Sequence, residues 1–286
     1  MTVEVQRILV IGAGAMGRQI GAVFALAGYD TTVGDVSQDI VDAARDEIRT
    51  RIARLAEKGQ VDDPQAALSR LTWTSDWDDA AREADLVVEA ATERLELKRQ
   101  IFARVSELAR PDAILGTNSS TIPSSLLADS IRNPERLCNM HFFNPALVMA
   151  CVEIVPNPQT SQETIDTVVS VSQRTGKEVV LLKREIPGFI ANRLMQAVLD
   201  EAMRLHASDV ATIEDIDAAA RLALGHPMGP FQLMDLVGND VISFIHHAEF
   251  ELTGDESAKP SPELEALVAE GRLGRKAGRG WYDYSS

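Results

Sequence analysis

The sequence has few cysteines, fewer basic than acidic residues, and no long apolar run. Cys138 and Cys151 are the only cysteines among 286 residues, too few to staple a chain of this length, so we expect a reducing, cytoplasmic location. Lysine and arginine number 28 against 43 acidic residues, and the net charge of −15 argues against broad binding to nucleic acids or anionic membranes. No apolar run approaches the ~18–20 residues of a membrane span, and residues 1–7 lack a signal-peptide pattern.

What is present is an ordinary globular composition, with 45% hydrophobic and 25% charged residues, in a chain long enough for two domains. In the N-terminal part, short β-rich runs alternate with helical patterns, beginning with the apolar run of residues 7–12. This alternation predicts an α/β fold with a doubly wound, parallel sheet. The longest helix predicted there spans residues 38–57, and five apolar residues form its inward stripe: Val41, Ala44, Ile48, Ile52 and Leu55.

The pattern changes near Pro187-Gly188, a plausible boundary between domains. After it we find only helical patterns, at residues 189–206, 213–224, 231–251 and 262–270. The sequence therefore predicts an α/β domain over residues 1–185 and an all-helical C-terminal domain over residues 186–286.

A glycine-rich turn follows the first predicted strand and opens the first helix. It has the pattern G-x-G-x-x-G and consists of Gly12, Ala13, Gly14, Ala15, Met16 and Gly17. The first glycine permits the tight turn, the second lets the backbone approach a pyrophosphate, and the third allows close packing of helix on strand. Glycines also make ordinary turns, but strand, turn and helix in this order favour a Rossmann-type domain that binds a dinucleotide.

Asp35 decides which dinucleotide is expected. It lies at the end of the second predicted strand, 23 residues after Gly12, where a carboxylate can accept hydrogen bonds from ribose hydroxyls. A carboxylate there repels a 2′-phosphate, and Val36-Ser37 follows it where an arginine would suit NADP. The predicted cofactor is NAD.

His141 and Glu153 form the candidate catalytic pair. His141 follows a strand pattern at the carboxyl end, where ligands bind in open α/β sheets, and Glu153 lies inside the next apolar run. A carboxylate in a sheet covered on both faces needs a partner, and an imidazole is a suitable one. By themselves, a histidine beside aromatic residues can be structural, and the glutamate can pair with an arginine.

Ordered motifs run along nearly the whole chain. They comprise His141-Phe142-Phe143-Asn144-Pro145 followed by Val152-Glu153, the glycine turn with Asp35, and the segments 88–90, 117–120, 187–193, 229–235 and 274–282. This set resembles the L-3-hydroxyacyl-CoA dehydrogenases, including bacterial 3-hydroxybutyryl-CoA dehydrogenases. The resemblance implies transfer of a hydride from a short-chain L-3-hydroxyacyl-CoA to NAD⁺, an NAD-binding first domain, and a second domain for substrate binding and dimerisation.

The resemblance also implies roles for single residues. His141 would remove the proton of the 3-hydroxyl, with Glu153 orienting it, while Ser120 and Asn192 would hydrogen-bond the substrate in a cleft between the two domains. Glu93 and Lys98 are similar to the family's polar contacts to the cofactor, although as helix-surface charges they could also be merely solvated. No metal site is predicted.

Three basic residues are the candidates for holding the anionic end of the acyl-CoA. Arg51, Arg54 and Lys58 are spaced i, i+3 and i+7, so they share one face of the predicted helix 38–57. The family places CoA near this region, and an ordinary solvated basic face explains the spacing equally well.

The chain departs from the family's usual pattern beside the acyl site. Ala146-Leu147 replaces a segment in which a second proline is usual, and Ala150-Cys151 replaces one in which a lysine is frequent. Ser119 stands for the usual threonine, and Thr121 for the serine that follows Ser120. These changes leave the proposed catalytic groups in place but open the acyl chain length to question.

Two other functions are compatible with the sequence. The chain could oxidise a free hydroxy acid, as gulonate and carnitine dehydrogenases do, although Phe142-Phe143 favours the CoA branch. It could also be a non-catalytic NAD-binding protein similar to a crystallin, which the intact set of site residues disfavours. We further expect a homodimer, because the helical domain carries an apolar run containing Phe231, Leu233, Met234, Leu236 and Val237.

Overall fold

The computed structural model describes residues 3–285, apart from the side chains of residues 252 and 253. The chain divides into two compact units, Met1–Phe189 and Ile190–Ser286. The described part contains no helix that is both long and apolar enough to cross a membrane.

One sheet organises the first unit. Within the described residues it has eight strands in the order β3-β2-β1-β4-β5-β6-β7-β8. The strands are β1 Arg7–Ile11, β2 Asp30–Gly34, β3 Leu71–Thr74, β4 Leu86–Glu89, β5 Ile114–Thr117, β6 Leu137–Phe142, β7 Cys151–Pro156 and β8 Glu178–Leu181. The reversal of strand order between β1 and β4 is that of a doubly wound sheet, so the predicted fold class is confirmed.

Six α-helices of the described chain belong to this unit. They are α1 Gly17–Leu26, α2 Gln38–Glu57, α3 Pro64–Ser69, α4 Asp78–Glu83, α5 Leu95–Leu108 and α6 Gln162–Arg174. The predicted stripe of α2 is mostly correct, because its first four members are fully buried and Leu55 is half-buried. Two hydrophobic clusters hold side chains of alternate β1 residues, Ile8 with Val10 and Leu9 with Ile11, so both faces of the sheet are covered.

The sheet is parallel except at one pair of strands. β6 and β7 are antiparallel, whereas every other neighbouring pair is parallel. The cause is the length of the connection, since residues 143–150 are too few for a helical crossover of a dozen or more residues.

The second unit is helical over most of its length. Its α-helices within the described residues are α7 Ala191–Ala207, α8 Ile213–Leu222, α9 Pro230–Val237, α10 Asn239–Thr253 and α11 Pro262–Ala269. The single helix predicted over residues 231–251 is wrong, because Gly238 separates α9 from α10 with a φ of 111°. Apolar periodicity continues through this glycine, whose backbone conformation is one that L side chains rarely adopt.

Two buried carboxylates attach the C-terminal segment to this unit. Asp217 caps α9, accepting hydrogen bonds from the N–H groups of Phe231 at 2.9 Å and Gln232 at 3.1 Å, and also from the hydroxyl of Tyr282 at 2.9 Å. Burial raises the pKa of Tyr282, and the neighbouring Asp217 carboxylate raises it further.

Asp235 is the second of these carboxylates, and 1% of it is exposed. It accepts hydrogen bonds from the backbone N–H groups of Trp281 and Tyr282, each at 2.9 Å, and from the Tyr284 hydroxyl and the Asn239 amide, each at 3.1 Å. Residues 281–284, the C-terminal segment, are therefore held through two carboxylates that lie inside the unit.

The apolar run expected to face a second subunit is partly internal. Phe231 and Met234 are fully buried in the unit's own core, Leu233 and Val237 pack partly against that core, and Leu236 is half exposed. Phe231 and Met234 are therefore not a dimer surface, because the unit covers them itself.

Candidate active site

The glycine turn lies at the carboxyl end of β1. A side chain at residue 17 would place its Cβ 1.7 Å from the carbonyl oxygen of Gly12, so only glycine allows α1 to begin this close to the strand. A Cβ built on Gly14 meets nothing within 4 Å, and Gly14 and Ala15 are exposed while Met16 is half-buried. The turn thus presents open backbone where a pyrophosphate could approach the first turn of α1.

Asp35 directly follows β2 and faces this turn. Its Oδ2 accepts a hydrogen bond from the N–H of Ala13 at 2.8 Å, and its Oδ1 accepts one from the N–H of Val36 at 2.8 Å. The carboxylate is half-buried and sits beside the glycine turn, so it both supports the turn and keeps a negative charge there.

Lys98 lies in a buried ion pair. It is 1% exposed, and its Nζ lies 2.7 Å and 3.0 Å from the two carboxylate oxygens of Glu89, which is fully buried at the end of β4. The Thr117 hydroxyl donates to the same carboxylate at 2.7 Å. The alternative reading of Lys98 as a solvated surface charge is wrong, since a charge at this depth needs its partner.

Glu93 connects Lys98 to the segment that carries Ser120. One of its oxygens lies 3.2 Å from Nζ of Lys98, and the other accepts hydrogen bonds from the Ser119 hydroxyl and from both the N–H and the hydroxyl of Thr121. Burial alone would raise the pKa of the Glu93 carboxyl, but Lys98 and these hydrogen bonds outweigh it and lower the pKa. Ser120, half-buried, lies between the two residues that Glu93 holds.

His141 and Glu153 face each other across β6 and β7. They are direct partners in the antiparallel register, and Nδ1 of His141 lies 2.9 Å from Oε2 of Glu153. Both are buried, at 5% and 1% exposure. Because an ionised carboxylate only accepts, Nδ1 carries the proton in this contact, and Nε2 of the neutral ring is left as an acceptor.

Two aromatic rings pack beside the imidazole. The centroid of the His141 ring lies 4.5 Å from that of Phe143 and 5.5 Å from that of Phe189. Phe189 is buried and has a φ of 50°, which is unusual for a bulky residue. The ring is therefore confined by packing as well as by the carboxylate.

Cys151, two residues before Glu153, is a free thiol of intermediate burial. Burial raises its pKa, and the Glu153 charge raises it further, against an opposing effect of Lys177. Cys138 in β6 is fully buried, which raises its pKa to about 12. Neither thiol has the lowered pKa of a nucleophilic cysteine.

The three basic residues predicted to share a face of α2 do line one cavity. Its volume is about 710 Å³, and Leu147 and Val148 contribute to its wall. Arg51 is paired with Glu47 at 2.8 Å, whereas Arg54 and Lys58 are exposed. Glu47 also pairs with Arg18 at 2.6 Å, so Arg54 and Lys58 carry most of the positive charge available to a ligand here.

Asn192 belongs to the second unit, in the first turn of α7, where it is half-buried. Of the other predicted site residues, the glycine turn, Asp35, Ser120 and His141 all lie at the carboxyl ends of strands of the one sheet in the first unit. Sequence reasoning assigned no role to Glu89, although an acidic residue at the end of an apolar strand is a readable sign of a buried partner.

Models of two protein domains match consecutive parts of the chain. The first is described as "3-hydroxyacyl-CoA dehydrogenase, NAD binding domain" and matches residues 7–186. The second is described as "3-hydroxyacyl-CoA dehydrogenase, C-terminal domain" and matches residues 188–284.

Individual proteins are similar over the same length. A probable 3-hydroxybutyryl-CoA dehydrogenase of Deinococcus radiodurans is 38% identical and covers 96% of this chain and 99% of its own. The mitochondrial hydroxyacyl-coenzyme A dehydrogenase of Rattus norvegicus is 37% identical, covering 98% of this chain and 91% of its own. The crystal structure of (S)-3-hydroxybutyryl-CoA dehydrogenase from Ralstonia eutropha is 32% identical, with a TM-score of 0.93 over 99% of this chain and 100% of that one.

Proposed function

The chain belongs to the 3-hydroxyacyl-CoA dehydrogenase family, and we propose that it prefers short-chain thioesters of the 3-hydroxybutyryl-CoA type. It is an NAD-dependent enzyme that transfers a hydride from the 3-hydroxyl carbon of an L-3-hydroxyacyl-CoA to NAD⁺, giving the 3-ketoacyl-CoA. The names of the relatives from Deinococcus and Ralstonia support the short chain length.

The residues of the first unit fit NAD. The open backbone at Gly14 and the first turn of α1 would hold the pyrophosphate, and Asp35 would accept hydrogen bonds from the ribose hydroxyls. Glu93, exposed and charged, and Lys98 behind it would complete the polar side of the cofactor site. When bound, NAD⁺ supplies the hydride acceptor.

The buried pair of His141 and Glu153 is the observation that carries the mechanism. Nε2 of His141 would accept the proton of the substrate's 3-hydroxyl, and Glu153 would stabilise the imidazolium that forms. The family resemblance implies that Ser120 and Asn192 would hydrogen-bond the oxygen of the substrate's 3-hydroxyl and orient it. Removing the proton as the hydride leaves avoids a build-up of positive charge on the substrate.

Formation of NADH with two candidate substrates, and in a control without substrate, tests this function. We expect NADH from 3-hydroxybutyryl-CoA, and none from free 3-hydroxybutyrate or without substrate. Turnover of the free acid would instead favour a dehydrogenase of free hydroxy acids. The absence of NADH formation with every thioester would favour a non-catalytic protein. A series of L-3-hydroxyacyl-CoA thioesters with acyl chains of four to sixteen carbons tests the preferred chain length. A higher kcat/KM for the longer substrates would contradict the proposed preference for short chains.

Asp35→Asn should weaken the preference for NAD. The amide retains an oxygen that can accept from the Ala13 N–H, while the charge that repels a 2′-phosphate is lost. We expect the ratio of kcat/KM for NAD to that for NADP to fall on the order of 10- to 100-fold, mainly through improved use of NADP. Asp30→Asn, at the exposed start of β2, the strand that Asp35 follows, is the matched control. A wild type that uses both cofactors equally would contradict the assignment.

Replacing Arg54 and Lys58 should weaken binding of acyl-CoA. Each exposed cation contributes modestly, so we expect the double alanine variant to raise KM for the acyl-CoA about 5- to 20-fold, with kcat little changed and the effect smaller at high salt. Arg45→Ala on the same helix, where Arg45 pairs with Asp42, should leave KM unchanged. For a pantetheine thioester, which lacks the nucleotide of CoA, the variant and the wild type should have the same KM. If KM for this thioester rose as much as KM for the acyl-CoA, the proposed role of Arg54 and Lys58 in holding the nucleotide end would be refuted.

We propose a homodimer formed through the second unit. Exposed apolar side chains at helical spacing support it: Leu194 and Val198 on α7, with Val241 and Phe244 on α10. Light scattering should give twice the chain mass of 31.1 kDa. Phe244→Asp should shift the protein toward monomer, while Leu126→Asp, at an exposed apolar residue of the first unit, should not. A wild-type monomer at micromolar concentration would disprove the dimer.

We also propose that the protein resides in the cytoplasm, although a similar protein from rat is named mitochondrial. The two free thiols, one of them fully buried, support a reducing compartment. Fractionation of cells that express the tagged chain tests this, and recovery from any other compartment would contradict it.

A further inference from the structure

Ser120 lies on residues 118–123, which form neither strand nor helix between β5 and the short 3-10 turn Ser124–Leu126. The N–H of Asn118 donates to the carbonyl oxygen of Glu89 at 2.7 Å, and side chains from neighbouring elements hold the residues that follow. Glu93 holds them from one side through Ser119 and Thr121. A second set of hydrogen bonds comes from β6.

Asn139 in β6 supplies this second set. It is fully buried, and its Nδ2 donates to the carbonyl oxygens of Ser119 at 3.2 Å and Ile122 at 3.1 Å. Its Oδ1 accepts from the backbone N–H of Ser124 at 2.8 Å. A carboxamide is the side chain that offers two donors and an acceptor in one plane, and here all three are used on residues that bracket Ser120.

The position of Asn139 in the strand links the segment to the general base. Successive side chains of a strand point to opposite faces, so Asn139 and His141, two residues apart, share a face of β6. The strand that presents His141 to the substrate therefore also carries the side chain that braces the Ser120 segment. Both are buried within the same sheet, which keeps their separation constant.

We propose that Asn139 is a positioning residue that holds Ser120 at a set distance from His141. The Ser120 hydroxyl and the His141 imidazole can then both hydrogen-bond the same substrate oxygen. The inference rests on the proposed role of Ser120. Asn139 does not touch the substrate; it acts through the backbone of Ser119 and Ile122.

Asn139→Ser removes both donors and should lower kcat about 10- to 100-fold, since a misplacement of about 1 Å costs on this order. KM for NAD should change less than about twofold. Asn139→Asp keeps the volume and the acceptor but turns a carboxylate oxygen toward the two carbonyl groups, so it should lower kcat at least as much and serves if the serine variant does not fold.

Asn157→Ser is the matched control. Asn157 is also a buried asparagine, and its Nδ2 donates to the Ser124 hydroxyl at 3.3 Å and to the carbonyl of Leu137 at 3.0 Å, away from Ser119 and Ile122. The two serine variants should lose similar thermal stability, yet the Asn157 variant should keep kcat within about threefold of wild type. Equal losses of kcat in both would mean that the effect is general destabilisation and would overturn the inference.

A double-mutant cycle with Ser120→Ala separates the inference from the role of Ser120. If Asn139 acts through Ser120, Asn139→Ser should reduce kcat of the Ser120→Ala protein little further. Two results would refute positioning and leave the role of Ser120 intact. One is a double variant whose loss of kcat equals the product of the two single losses, and the other is a wild-type kcat for Asn139→Ser when Ser120→Ala is impaired. Near-wild-type kcat for Ser120→Ala alone would refute both.

Discussion

His141→Gln should lower kcat by about 10²- to 10⁴-fold while NAD binding stays close to wild type. A positioned general base contributes this much, and glutamine fills a similar volume without accepting a proton at neutral pH. The measurement is kcat of a folded protein shown by fluorescence titration to bind NADH.

Glu153 supplies the test of whether the pair acts as one unit. Glu153→Gln keeps the shape but removes the charge that stabilises imidazolium, so it too should lower kcat substantially. The kcat of the double variant should be little lower than that of the less active single variant. Glu178→Gln, at an exposed residue on the neighbouring strand β8, is the control and should retain full activity. Near-wild-type turnover of His141→Gln would mean that the general base lies elsewhere.

Asp235→Ala should destabilise the second unit by about 3 kcal/mol or more. The substitution removes the acceptor for four donors, and the buried N–H groups of Trp281 and Tyr282 would lose their partner. Urea unfolding should therefore begin in this unit, with the C-terminal segment cut first in limited proteolysis.

The exposed carboxylate of Asp283, in the same C-terminal segment, provides the control. It accepts a hydrogen bond from the N–H of Ser285 at the surface, so Asp283→Ala should leave the urea midpoint unchanged. If Asp235→Ala unfolded at the wild-type midpoint, the internal attachment of the C-terminal segment would not contribute to stability.

Much of the fold could be predicted because local patterns carry it. The apolar strands and the stripe of α2 are visible in the sequence as periodicities, and they recur in the structure within one or two residues. The break at Gly238 could not be seen in this way, because apolar periodicity continues across it and only the backbone conformation separates α9 from α10. The direction of β7 was readable from the short connection of residues 143–150.

In the site, too, the residues that could be predicted are those with a local sequence pattern. Residues with a strong chemical signature, such as the glycine turn, could be placed from sequence because their spacing reflects one local turn. The brace formed by Asn139 could not, because it joins residues 15 to 20 positions away through backbone carbonyls, which leave no mark on the sequence. The burial of Lys98 was hidden too, since its partner Glu89 comes from a different element.

The antiparallel pairing of β6 and β7 aligns His141 with Glu153, while the connection between the strands reaches the cavity beside α2. His141 and Glu153 meet because the ladder of main-chain hydrogen bonds aligns them, and a slip of one residue would turn one of them to the other face. In the connection between the strands, Phe143 packs against the His141 ring. Two other residues of this connection, Leu147 and Val148, line the cavity beside Arg54 and Lys58. If this cavity holds the acyl-CoA as proposed, substitutions of Leu147 and Val148 should change which thioester is accepted while the proton-transfer pair keeps its alignment, whereas Ala146 beside them is fully buried in the core.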